Sequence, residues 1–111
     1  MALLDHDAIE TTIKSMPRRE FTVLEFGDAL KQTHPELWAL LVERFGEFGE
    51  KRRYTVSTYL SNRLEEYSRG GRGLLEAHAH YSEDRDRGYR RPTEEEKVRF
   101  GSPWIAVYRR K

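Results

Sequence analysis

The sequence contains no cysteine. That excludes a disulfide scaffold and every thiolate zinc site, and it makes a cytoplasmic protein the expectation. Long apolar runs are missing too. The longest, "LWALLV" at 37 to 42, is far shorter than the roughly 20 residues of a membrane helix, and "MALLDHDAIE" lacks the basic-then-apolar order of a secretion signal. The expectation is a soluble, unexported chain with no membrane partner. No glycine-rich phosphate loop follows a strand, no serine sits in a nucleophile elbow, and no carboxylate pair has a defensible geometry. Neither catalysis nor a cofactor is therefore expected. With 111 residues and no internal repeat, the chain reads as one domain, 1–111, around one modest core.

What is present is charge, unevenly placed. The net charge is +1, yet residues 1–50 hold five basic and ten acidic side chains, against fifteen and nine in residues 51–111. Such a split points to an anionic partner for the second half. Fifteen of the 20 basic residues are arginine, whose planar fork suits phosphates and guanine edges.

Hydrophobic spacing orders the elements. Ile9, Ile13 and Met16 predict a first helix within "DHDAIETTIKSM" (5 to 16), stopped by Pro17. "REFTV" (19 to 23) reads as a short extended piece. Thr22 and Glu25 then form a capping-box pair for a helix starting near Val23 and breaking at "THP". "PELWALLVERF" (35 to 45) is apolar on most of its circumference, so it is either central to the core or partly buried by a second subunit. Trp38, Trp104, Phe45 and Phe48 are expected as core or dimer contacts. After the basic connector "GEFGEKRR" (46 to 53), a helix at about 55–68 starts on Thr55 and is stopped by "RGGRG". "LLEAHAHYS" (74 to 82) alternates with the two-residue period of a half-buried strand, and a second strand is expected at about 103–110. Between them, "PTEEEKVRF" could form a helical turn on Thr93 or extend a strand.

The helix at 55–68 has an unusual front. Val56, Tyr59, Leu60, Leu64 and Tyr67 fall on one face, leaving Ser57, Thr58, Ser61, Asn62 and Glu65 on the other. Short hydrogen-bonding side chains on the first turns let a backbone approach base edges while the helix dipole faces phosphate. Asn62 suits a bidentate contact with adenine, and Ser57, Thr58 and Ser61 suit phosphate or base edges; Thr55 at the helix start is a DNA-contact candidate with them. Arg63, at the border, could reach either way. Arg52 and Arg53 precede the helix, Arg69 and Arg72 follow it, and Arg85, Arg87, Arg90 and Arg91 crowd the interstrand loop, diluted by Asp84 and Asp86.

The stretch "TVSTYLSNRLEEYSRGGRGLL" resembles the recognition helix and first wing strand of the winged helix-turn-helix superfamily of DNA-binding domains. The resemblance implies an α+β fold of about four helices with a small antiparallel sheet, the wing. It also implies double-stranded DNA as partner, read in the major groove with backbone contacts from the arginine-rich wing, in transcription regulation or DNA targeting. One departure is the added helix in "HPELWALLVERFGEFGEKRR", which leaves open whether helix 23–33 or helix 35–46 stands across from the recognition helix. Two rivals follow from the residues. One is a protein-interaction or homodimerisation module using the apolar helix 35–48. The other is a metal-dependent enzyme on Glu76, His78 and His80, which share one side of a strand. That site needs further ligands, and the remaining histidines, His6 and His34, are placed by no spacing rule.

Overall fold

A computed structural model describes residues 4–46, 55–69, 73–76, 89–97 and 105–111. Among these, the chain is α+β, with five helices and a three-stranded antiparallel sheet. The order is α1 (His6–Ser15), β1 (Glu20–Thr22), α2 (Val23–Thr33), α3 (Pro35–Phe45), α4 (Val56–Ser68), β2 (Tyr89–Arg90), α5 (Glu94–Lys97) and β3 (Ile105–Arg109).

The helix boundaries follow local chemistry. At α1, the Asp5 carboxylate accepts the Ala8 N–H at 2.9 Å, supplying one of the partners that a helix start lacks. At α2, Thr22 and Glu25 exchange side-chain and backbone bonds of 3.0 and 3.2 Å, the capping box expected from their spacing. Pro35 opens α3, where its missing N–H costs nothing. At α4, the Thr58 hydroxyl accepts the Thr55 N–H at 3.4 Å, and the Val56 N–H donates to the Gly46 carbonyl at 2.9 Å. The end of α3 is thereby tied directly to the start of α4. The open choice for "PTEEEKVRF" is resolved as one helical turn, α5, with Thr93 and Glu96 exchanging capping bonds.

The sheet order is β1-β3-β2. In β1, Glu20, Phe21 and Thr22 stand opposite Arg109, Tyr108 and Val107. On the other edge of β3, Tyr89 and Arg90 stand opposite Ala106 and Ile105. Leu75 bridges to Arg110, and the Glu76 N–H donates to the Arg109 carbonyl at 2.8 Å. Because the Arg110 N–H is directed at the Arg19 carbonyl, the Arg109 carbonyl faces away from β1, and residues 75–76 share an edge with β2. Of the first expected wing strand, residues 77–82 lie outside the described residues; the second is present as β3. Arg90, expected in a loop, stands instead in strand β2.

α2 occupies the centre and packs against α1, α3, α4, β1 and β3. Phe21, Phe26 and Tyr108 join it to the sheet, with ring centroids 6.2 Å apart for Phe21–Phe26 and 6.0 Å for Phe21–Tyr108. Both α2 and α3 pack on α4. Their approach is close at Gly27, where a Cβ would lie 3.3 Å from Leu60 Cδ1 and 3.5 Å from a Trp38 ring carbon. α3 is peripheral rather than central. Leu41 is its buried residue, while Leu37, Trp38 and Phe45 lean on the core from the side.

Two substitutions test this frame by urea unfolding. Thr22→Ala should destabilise by about 1 kcal/mol through loss of the cap. Gly73→Ala should cost more, about 2 kcal/mol. Gly73 has φ of +72° and its Cβ would collide with the Tyr67 hydroxyl, adding a clash to the left-handed penalty.

Candidate nucleic-acid interface

α4 is seated by Val56, Leu60, Leu64 and Tyr67, all buried. The opposite line, Thr58, Asn62, Glu65 and Arg69, follows helical spacing, with Asn62 and Arg69 exposed and Thr58 and Glu65 half-buried. Ser57 and Ser61 flank this line and are half-buried. The first turn has no acidic residue, while Glu65 and Glu66 lie farther along. An anion is therefore favoured at the N-terminal half and opposed at the C-terminal half.

Other sequence-selected residues sit differently. Thr55 is buried, engaged in starting the helix. Arg63, which could have reached either way, is turned inward, its side chain 14% exposed. Its Nε and Nη2 donate to the Leu4 carbonyl at 3.0 and 2.8 Å, and Nη1 donates to Glu66 at 2.9 Å. Its guanidinium is thus absent from the outward face. Arg90 donates to Glu96 through both Nη atoms, each at 2.7 Å, a fork-to-fork pair. Arg91 is exposed beside it. Arg52, Arg53, Arg72, Arg85 and Arg87 lie outside the described residues.

Two tyrosines hold α4 from either side. The Tyr59 ring stacks on Phe45 with centroids 4.5 Å apart, and its hydroxyl accepts the Leu4 N–H at 3.1 Å. Tyr108 of β3 donates to the Ser61 carbonyl at 3.2 Å, and burial pushes its hydroxyl pKa upward. At the rear, the Tyr67 hydroxyl donates to Glu10 at 2.6 Å and accepts the Leu74 N–H at 3.0 Å. Burial first, then the bond to Glu10, raises its pKa to about 12. Sequence spacing puts Tyr59 and Tyr67 on the buried face but does not disclose these polar duties. A signal for the Leu4 contact does exist: Leu4 and Ile9 occupy the N′ and N4 positions around the Asp5 cap, the hydrophobic-staple spacing, and both are fully buried.

Glu76 is paired with Arg19 at 3.3 Å and approaches Arg109 at 3.9 Å, while His78 and His80 lie outside the described residues. Among the described residues no cluster of three metal-binding side chains occurs, and no helix is long and apolar enough to cross a membrane. On α3, Leu40 is 54% exposed. Comparison with known proteins finds no matching family model, no matching curated protein and no matching solved structure.

The Arg90–Glu96 pair has a pH signature. The Arg90 fork, and secondarily the Thr93 bonds, hold the Glu96 carboxyl at about 2 against an ordinary 4.5. A carboxyl depressed in the folded state stabilises it above the unfolded value and loses that contribution as pH falls through the folded one. Glu96→Gln should therefore melt below wild type at neutral pH. The gap should narrow between 4.5 and about 2, as read by circular-dichroism melts.

Proposed function

We propose that the domain binds double-stranded DNA as a winged helix-turn-helix module, with α4 entering the major groove by its N-terminal half. Its role is then transcription regulation or the targeting of a larger machine to DNA. The observation that carries this reading is the outward line of α4. Small hydrogen-bonding side chains stand at its front and Asn62 at its exposed middle, while its acidic residues are held back beyond the first turns.

The frame around α4 supports the same reading. β1 lies between α1 and α2, and the last strand pairs centrally in the order β1-β3-β2, the arrangement that a wing built on β2 and β3 requires. Asn62 would read a base edge, with Ser57, Thr58 and Ser61 on phosphates or neighbouring edges. Arg52, Arg53, Arg69 and Arg72 would anchor the backbone, together with Arg91 after β2 and Arg85 and Arg87 ahead of it. Arg90 would serve mainly to brace β2 against α5, its fork being engaged by Glu96. Arg63 would act from within rather than on DNA.

A second reading rests on Leu40. An exposed leucine on a helix whose Leu37, Trp38 and Phe45 lean on the core and whose Leu41 enters it suits a protein-interaction or homodimer contact through α3. Such a contact is nearly indifferent to salt.

The test is a titration of random-sequence duplex DNA across salt concentration. Each phosphate neutralised contributes about 0.9 to the log-log salt slope. Wild type should bind at low salt with a steep slope, and Arg52→Ala/Arg53→Ala should flatten that slope by up to about 2. Asn62→Ala should weaken binding to a selected site by about tenfold while leaving the slope unchanged. Absence of binding at low salt would sink the DNA reading, and unchanged binding by both variants would move the interface off α4. For the second reading, Leu40→Glu should dissociate any dimer seen by sedimentation.

A further inference from the structure

We propose that Tyr59 and Arg63 are positioning residues: acting through the Leu4 backbone, they make residues 4–6 a latch that fixes the rotation of α4 about its own axis. This rests on reading α4 as the DNA-contacting helix.

The latch is complete as chemistry. The Leu4 side chain is fully buried. Its N–H donates to the Tyr59 hydroxyl at 3.1 Å, and its carbonyl accepts two bonds from the Arg63 guanidinium at 3.0 and 2.8 Å. Both backbone polar groups of one residue, on the two successive peptides that flank its Cα, are thus met by side chains one turn apart on α4. The Tyr59 ring is itself stacked on Phe45, and Glu66 takes up a further Arg63 N–H. One turn beyond, the His6 ring meets Tyr67 edge-on with centroids 5.2 Å apart and planes at 84°. A guanidinium bonding a carbonyl twice in a shielded place is a directional restraint, stronger than a neutral contact.

Its placement gives it a use. Leu4 grips α4 along the Tyr59–Arg63 flank, and Tyr108 grips it on the other through the Ser61 carbonyl. Two grips on opposite sides of the outward line oppose rolling of the helix. At a side-chain radius of about 5 Å, a roll of about 20° moves an outward side chain by about 2 Å, enough to break a hydrogen bond to a base edge. An arginine on the proposed reading helix thus contributes without touching DNA, and Leu4 contributes from the far side of that helix.

The experiment compares wild type with Arg63→Ala, Leu4→Ala and Tyr59→Phe by salt-dependent titration of random duplex DNA and by hydrogen exchange of the α4 amides. Tyr59→Phe removes only the hydroxyl and keeps the stack on Phe45, so it should remain folded. The expected result is weaker DNA binding in all three, about tenfold for Arg63→Ala, with the wild-type salt slope retained, and faster exchange along α4. A slope reduced by about 1 in Arg63→Ala alone would mean that Arg63 meets a phosphate and would overturn the latch. Wild-type affinity in both Leu4→Ala and Tyr59→Phe would overturn it too. If wild type binds no duplex, the DNA reading fails by itself, and unchanged α4 exchange in Arg63→Ala and Tyr59→Phe then overturns the latch independently.

Discussion

The antiparallel pairing of β1 with β3 is the constraint on which the other placements depend. It joins Glu20, Phe21 and Thr22 to Arg109, Tyr108 and Val107, bringing together parts of the chain that lie far apart in the sequence. Once that register is set, Phe21 meets Tyr108, Phe26 packs behind them, and α2 lies across the sheet. A slip of one residue would turn Tyr108 to the opposite face and remove its reach to Ser61 of α4. The Thr22 cap begins where β1 ends, so one short strand also fixes the start of the central helix. On the solvent side, Arg109 stands between Glu20 at 2.7 Å and Glu76 at 3.9 Å. This charge ladder crosses three chain segments and adds alignment more than energy, since exposed pairs contribute little.

Much of this frame was legible in the residues because local chemistry decided it. The Thr22–Glu25 spacing, Pro17 after α1, Pro35 at the start of α3 and the periodicity of Val56, Leu60 and Leu64 each specify an element without reference to distant partners. β2 was not legible. Two residues flanked by charge have no periodicity, and Tyr89 and Arg90 are a strand only because β3 offers them an edge. The character of α3 was legible only as a choice, between a helix central to the core and one partly buried by a second subunit, for a related reason. Apolar residues around a helix say that something covers it, but not how much of the covering the rest of the chain supplies. In the structure Leu41 is covered fully and Leu40 is not.

The candidate surface was legible in its face and less so in its membership. Asn62 falls outward, and Ser57, Thr58 and Ser61 stand half-buried beside it, off the buried face as helical spacing requires. Arg63 could not be assigned, since a side chain that long reaches either border of the helix, and its actual partner is a backbone carbonyl 59 positions away. Spacing rules describe side chains along one element, whereas Leu4, Tyr59 and Arg63 meet across two. The same holds for Arg90, whose partner Glu96 belongs to a helical turn that the residues left undecided.

The place of β3 in the sequence bears on how the molecule forms. β3 is central in the sheet yet last in chain order. On a ribosome, the helices are synthesised first, and until β3 follows, Phe21 and the Ser61 carbonyl of α4 lack their Tyr108 contacts. Tertiary closure is then a late, long-range event. Until Ile105 to Arg109 emerge, α4 has its N-terminal grip but not its C-terminal one, so a nascent chain would carry the helix before it carries its orientation. Folding order thus separates making the surface from aiming it.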